Sequence, residues 1–451
     1  MRDIAIPRSI RLVMSLAAVI VMGVFCATTL AGQMVTQSGI ITTSISFALI
    51  YGVALVLLSF SKETEQASGF TFAVLAMATL VFIRVCLLYY QSADYTTFLV
   101  NWVESLRQMN LVKALSTPLG DYNLSYLYLL FIISKIPAPD LVLIKALSCL
   151  FDILLGFAVM KCVSVFTKSN GIRLLSFVLT CAIPTVILNG SMWAQCDSIY
   201  GFFCVMAVYY ALVGRGRPAM IMFGVAFAFK LQAIFLVPAI IICLFIGKIK
   251  LRHLLWFPIV NVLAVLPAVV CGRGIIDVFS IYLKQTQNYP SLDMNAPTVF
   301  RFVFNVEFEW FNMLGIMLAG FGVLCMLYFA FYKRNKIDNR ALLTFFWLSA
   351  MAVPYFLPRM HERYFFVADV LSLVLFIVAR KLWYVPVITI FSSFVAYAYF
   401  LFKGVTLVNY IWVAFALLIV ITLVIKDVYK YMNSVPNVAN SAEDKEVAEN
   451  G

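Results

Sequence analysis

The chain has 451 residues, 63% of them hydrophobic and only 12% charged, with a mean hydropathy of +0.98 and a formal net charge of +12. This composition excludes a water-soluble globular protein, because apolar runs long enough to cross a bilayer recur from end to end. The excess of Lys and Arg falls mostly in short loops, so membrane orientation explains it and no nucleic-acid partner is implied. The ten cysteines form no Cys-x-x-Cys pair, and several (Cys149, Cys181, Cys243, Cys325) lie inside apolar runs, which reads as small membrane-helix residues. The expected fold is an all-α polytopic transmembrane helix bundle of about twelve to fourteen spans, with amphipathic juxtamembrane helices and a short re-entrant helix on the outer face.

Arg2, Arg8 and Arg11 precede the first apolar run, which argues for a cytoplasmic N-terminus and, with no small-residue cleavage site after it, for a retained signal anchor. Residues 12–31 cross outward and 40–60 return to a Ser-Lys-Glu-Thr-Glu turn. Residues 70–90 cross outward again and deliver Asp94 beyond the outer face. Residues 96–114 place Phe98, Leu99, Trp102, Val103, Leu106 and Met109 on one helical stripe, as in an amphipathic helix lying in the interface. The run 122–136 is short of the roughly 20 residues needed to span, and Ile-Pro-Ala-Pro breaks it, so a short or re-entrant helix is expected.

Residues 141–162 then cross inward to Lys161, Lys168 and Arg173, 174–188 come out to the stretch 189–198, and 199–213 return to a basic turn. Residues 220–229 and 234–246 form two short spans around Lys230 and Gln232, and 254–271 lead to an outer loop, 272–301. Residues 311–332 return, and 341–356 come out to Leu-Pro-Arg-Met-His-Glu-Arg-Tyr-Phe-Phe at 357–366. Residues 364–379, 383–402 and 406–425 complete the bundle, and the polar tail after Lys426 reads as disordered. This divides the chain into a hairpin (1–69), a core (70–370), C-terminal helices (371–430) and a cytoplasmic tail (431–451). With this threading the strongly basic loops lie inside, while Asp94, Asp197, Lys230 and the 359–363 cluster lie at or near the outer face.

Four of the five side chains between Arg359 and Arg363 are ionisable and flanked by apolar runs, which requires a cavity lined by water or protein. Arginine forks fit phosphate, so Arg359, His361 and Arg363 suit an oxyanion; the plainer alternative is an interfacial anchor. Asp94, at the mouth of a membrane cavity, suits a general base or, more plainly, an N-cap of the helix that follows. Asp121 in Gly-Asp-Tyr-Asn reads first as a turn or cap residue and second as an acceptor contact. Trp193, Gln195 and Asp197 pack a stacking ring, an amide and a carboxylate close together, which suits a saccharide, against an interfacial Trp and a helix cap. Lys230 either snorkels or meets an anion, and Asp152, inside an apolar run, is expected to pair with a basic residue elsewhere. No Walker A loop, dinucleotide fingerprint or His-Glu-x-x-His motif is present.

Taken together, Asp94-Tyr95, Gly120-Asp121-Tyr122-Asn123, Trp193-Ala194-Gln195-Cys196-Asp197-Ser198, Phe229-Lys230-Leu231-Gln232-Ala233 and Met360-His361-Glu362-Arg363-Tyr364-Phe365 resemble bacterial GT-C glycosyltransferases related to the GPI-anchor mannosyltransferases. The resemblance covers about residues 70–370. Ala194 stands where such proteins often carry Gly, and Asn123-Leu124-Ser125-Tyr126 replaces a commoner Asn-Pro-Pro-Tyr. The resemblance implies inverting transfer of a sugar from a polyprenyl-phosphate donor to a cell-envelope glycan or lipid-linked acceptor, on the outer face of a bacterial membrane. In that scheme Asp94 is the catalytic base, and Lys230, Arg359, His361 and Arg363 hold the donor phosphate. Trp193, Gln195, Asp197, Gln232, Glu362, Tyr95 and Asp121 contact sugar or acceptor. The cofactor question stays open: Asp94, Asp197 and Glu362 could supply oxygen ligands to a divalent metal, and nothing in their spacing requires one. The competing expectations are a lipid-linked oligosaccharide flippase and a polysaccharide polymerase.

Overall fold

The structure, a computed structural model, describes residues 4–31, 35–287, 291–304 and 306–436. Nineteen helices carry the described chain. The first nine are α1 (Arg8–Ala31), α2 (Gln37–Ser59), α3 (Ala67–Leu87), α4 (Val100–Arg107), α5 (Leu111–Ser116), α6 (Leu124–Ser134), α7 (Asp140–Ser164), α8 (Asn170–Ala182) and α9 (Pro184–Ile187). Then come α10 (Asp197–Leu212), α11 (Gly216–Phe229), α12 (Val237–Phe245), α13 (Trp256–Val270) and α14 (Ile275–Gln287). The last five are α15 (Phe308–Tyr332), α16 (Asn339–Phe356), α17 (Phe366–Val378), α18 (Tyr384–Leu401) and α19 (Tyr410–Ser434). Helix starts follow local chemistry: Thr36, Asn110, Ser169, Asp338 and Asn409 each accept a backbone N–H from the first turn of the helix they precede.

The chain is an all-α multi-pass membrane protein. Among the described residues eight helical stretches are long and apolar enough to cross a bilayer, and α8 with α9, bent by 52°, would make a ninth. Five further apolar helices have only 10–17 residues, α6 among them. The expectation of about twelve to fourteen spans counted the other four, with α6 set apart as a short or re-entrant helix, and all five fold as helices below the roughly 20 residues a straight crossing needs. Many large apolar side chains stay exposed, such as Leu16, Leu75, Phe321 and Leu324, as lipid-facing surfaces require.

Three expected elements differ in detail. The amphipathic segment 96–114 is broken: a π-helical turn at Tyr95–Leu99 leads into α4, and Asn110 starts α5 as a new helix. Its stripe still faces inward through Leu99, Val103 and Leu106. The segment 272–301, expected as a loop, contains α14. The polar tail is helical to Ser434, so a disordered tail from 431 is overturned for its first residues; the chain after residue 436 lies outside the described residues. The cause is pairing, since Asp427 bridges Arg340 (3.1 Å) and Lys381, while the Tyr431 hydroxyl donates to Asp338 at 2.5 Å.

The chain forms two compact units, Met1–Phe202 with Val262–Ile281, and Phe203–Asn261 with Tyr282–Gly451. This division splits the segment 70–370, leaving 1–69 in the first unit and 371–430 in the second, and the α1–α2 hairpin shares a core with α3, α7 and α8. Phe47, Tyr51, Ala54, Met77, Val81, Ile153 and Phe177 are all buried in that core.

Within the first unit, α7 turns one polar stripe inward, Lys145, Ser148 and Asp152, at helical spacing. Asp152 pairs with Arg84 of α3 at 2.9 Å, both side chains wholly buried. Arg84 also donates to the Cys181 and Leu80 carbonyls, and Ser198 donates to the other Asp152 oxygen at 2.5 Å. The expected basic partner of Asp152 is therefore Arg84. Lys145 donates to the Leu88 and Tyr90 carbonyls at 2.7 and 2.6 Å, capping the C-terminal end of α3 where its dipole is negative.

Removing one member of a buried pair leaves an uncompensated charge, whereas an apolar pair of similar volume does not. Asp152→Ala is expected to cost about 3–5 kcal/mol of stability, and the double change Arg84→Met/Asp152→Leu markedly less. Reversible unfolding in detergent micelles measures both.

Candidate functional site

The first cluster lies entirely in the first unit and is built by the segment between α9 and α10. Trp193 and Gln195, both buried, donate from Nε1 and Nε2 to one oxygen of Asp94, at 2.9 and 2.5 Å. Asp94 itself is half-buried. Its side chain caps no helix; Ser92 does so instead, accepting from the Tyr95 N–H at 3.2 Å and donating to the Trp193 carbonyl at 2.6 Å. The N-cap alternative for Asp94 is thereby set aside.

Gln195 is held from every side. Its Oε1 accepts from the Tyr122 hydroxyl at 2.6 Å, its carbonyl accepts from Ser148 at 2.7 Å, and its N–H donates to the Asn189 carbonyl at 2.9 Å. The turn requires Ala194 to adopt φ +67, a left-handed conformation that costs an L-residue about 1–2 kcal/mol. That conformation is what a glycine at this position would supply without strain.

Two expectations for this segment need correction. Trp193 is fully buried, so its ring offers no open face for a sugar to stack on; its indole N–H orients Asp94 instead. Asp197 is 1% exposed and accepts from Asn189 Nδ2 at 2.6 Å while its backbone N–H returns to Asn189 Oδ1. It therefore locks the start of α10 beneath the site. Tyr95 is buried within the π-helical turn, and Asp121 is exposed in the bend before α6. Gly120 allows that bend, with φ +64 and the Trp102 ring so close that a Cβ would lie 2.5 Å from it. Half-exposed aromatics stand beside the network: Trp102 meets Tyr122 edge-on at 5.5 Å and Phe98 at 5.9 Å.

The second cluster lies in the second unit. The chain breaks at Lys230, which is extended between α11 and the 3-10 turn Leu231–Leu236, and Ser349 of α16 holds that turn by donating to the Phe235 carbonyl at 2.6 Å. Strands β1 (Asp293–Met294) and β2 (Met360–His361) pair in parallel, and the Arg359 N–H donates to the Leu292 carbonyl at 2.8 Å. Glu362 lies between His361 and Arg363, at 3.9 and 3.8 Å. Arg359, at φ +62, turns its guanidinium to α15, donating to Asn312 at 3.1 Å over the Phe308 ring. Gln232 keeps a buried carbonyl oxygen with no hydrogen-bond partner among the described residues. Asp293 pairs with Arg301 at 2.7 Å; burial raises its carboxyl, and Arg301 offsets part of the rise.

Burial, with the positive charges of Arg363 and Lys230 nearby, pushes the His361 imidazole down to about 3. His361 is therefore neutral near pH 7, and the positive charge of the cluster comes from Lys230 and Arg363. A phosphate contact from His361 would accordingly be a hydrogen bond from a neutral ring.

The structure thus joins Asp94, Trp193 and Gln195, and separately joins Lys230, His361, Glu362 and Arg363. Sequence reasoning missed Tyr122, Asn189, Ser92 and Ser148 as positioning groups. Among the described residues no three His, Cys, Asp or Glu side chains gather as a metal-binding group, and Asp94 and Glu362 belong to different units. Compared with protein-family models and with curated proteins, the sequence matches none.

Two measurements follow from this geometry. Ala194→Gly relieves the left-handed strain and should stabilise the protein by up to about 1 kcal/mol, read as a higher unfolding midpoint in detergent. The unfolded His361 takes up a proton near pH 6.5 and the folded one only near 3, so stability should fall as pH drops from 7 to 5. The loss attributable to this group is about 2 kcal/mol, and His361→Gln should remove that part of the pH dependence.

Proposed function

We propose that the protein is an inverting glycosyltransferase that moves a sugar from a polyprenyl-phosphate donor to a glycan or lipid-linked acceptor, with Asp94 as general base. The observation that carries this is the Asp94 carboxylate, half-buried and oriented by Trp193 and Gln195 from a segment about a hundred residues away in sequence. A carboxylate held by two N–H donors on one oxygen has a fixed direction, which proton transfer in a transition state requires. The resemblance of the motifs to GT-C glycosyltransferases supplies the substrate class, and the outer membrane face follows from the distribution of Lys and Arg.

In the reaction Asp94 takes the proton of the acceptor hydroxyl as its oxygen attacks the anomeric carbon. The bond from that carbon to the phosphate oxygen breaks, polyprenyl phosphate leaves with the electron pair, and configuration inverts. The resemblance gives the donor phosphate to Lys230, Arg359, His361 and Arg363, and within that cluster neutral His361 offers a hydrogen-bond donor beside two cations, Lys230 and Arg363. Glu362 holds Arg363 in orientation. With Trp193 buried, the aromatic surface left for the sugar is Phe98 and Trp102.

The test is transfer from a panel of labelled polyprenyl-monophosphate sugars by purified protein in proteoliposomes. Wild type should transfer from at least one donor, Asp94→Asn should lose about 10²-fold or more in kcat, and Gln195→Ala should lose less. Unchanged turnover in Asp94→Asn would move the base elsewhere. No transfer from any donor, with labelled lipid-linked glycan crossing the bilayer instead, would favour a flippase.

A further inference from the structure

At the end of α3 opposite Asp94, the 3-10 turn Lys62–Thr64 joins α2 to α3 beside the junction of α7 and α8. The 21 residues of α3 separate the two ends by about 30 Å, the thickness of a bilayer core. A cavity of about 350 Å³ opens there, in the first unit, lined by Phe60, Lys62, Phe157, Lys161, Ser164 and Arg173 among others.

The rim is built. Arg11, itself buried, donates to the Ser61 carbonyl and to Thr64 Oγ1 at 3.1 and 2.9 Å. The chain at Ile4 to Ile6 pairs with Glu65 and Ala67 through two backbone hydrogen bonds, and Asn170 donates to the Lys62 carbonyl. Arg8 stacks on the Phe60 ring at 3.8 Å. Glu63 also lines the cavity, and it is neutralised by Arg173 at 3.4 Å; Arg173 further donates to the Thr167 carbonyl at 2.8 Å. Lys62 and Lys161 are exposed at the cavity, and neither makes an ion pair among the described residues. The walls below them are apolar, from Leu57, Phe157 and Met160.

Two cations above apolar walls, between membrane helices, match a ligand with an anionic head and a hydrocarbon body. Lysines that merely set membrane orientation need no shared cavity. We propose that this cavity binds a phosphate-bearing anion, supplied as the headgroup of an anionic membrane lipid, with Lys62 and Lys161 as its counter-charges. Such a lipid would tie α2 and α3 to α7 and α8 at the face away from Asp94, independently of what Asp94 does.

The experiment compares the full-length protein in phosphatidylglycerol and phosphatidylcholine nanodiscs, reading thermal unfolding, with native mass spectrometry of retained lipid. Phosphatidylglycerol should raise the midpoint and be retained roughly tenfold in preference, and Lys62→Gln/Lys161→Gln should abolish both effects. An equal shift in the double variant, or equal retention of the two lipids by wild type, would overturn the proposal. The full shift from inorganic phosphate in phosphatidylcholine nanodiscs would overturn the lipid source. Should the double variant fail to fold, Lys62→Arg/Lys161→Arg must keep the lipid preference and Lys161→Glu alone must lose it.

Discussion

The ion pair between Arg84 and Asp152 is the contact on which the first unit is organised. Two opposite charges wholly out of water are tolerable only when their remaining hydrogen-bonding capacity is met, and here Ser198 and the Leu80 and Cys181 carbonyls meet it. The pair therefore fixes α3, α7, the end of α8 and the start of α10 relative to one another. The close approach at Gly190, where a Cβ would lie 3.3 Å from Ser148 and 3.4 Å from Asp152, belongs to the same arrangement.

From that anchor the chemistry propagates upward through short contacts. Ser148, one turn before Asp152 on α7, holds the Gln195 carbonyl, and Gln195 holds Asp94. Lys145, a further turn back, caps α3 just before the chain reaches Ser92 and Asp94. One face of one helix thus supports both strands of the site. The strain at Ala194 is tolerated because hydrogen bonds on either side of it over-determine the turn.

The second unit uses a different device. Its cations stand on irregular backbone, at the break of Lys230 and on the two-residue strand pair at His361, which tertiary contacts from Ser349 and Leu292 stabilise. Irregular backbone between apolar helices must have its polar groups satisfied by protein or water, and these contacts do so. Burial beside Lys230 and Arg363 keeps His361 neutral, so the charge count of the cluster differs from its residue count.

The sequence alone determined the class of protein, because the bilayer imposes a length and a hydropathy on each helix that no tertiary contact can override. It also located Asp94, the 193–198 segment, Lys230 and the 359–363 cluster, since polar side chains between apolar runs are costly and hence conspicuous. The spacing of Lys145, Ser148 and Asp152 was legible as one helical face, yet nothing local says that Arg84 answers it. Which partner meets which charge depended on packing across 68 residues of chain. Tertiary structure likewise turned Trp193 from a presumed sugar platform into a buried donor to Asp94, and carried α19 on to Ser434 through Asp427 and Tyr431. Burial and pairing are properties of neighbours far apart in the chain, and local composition does not encode them.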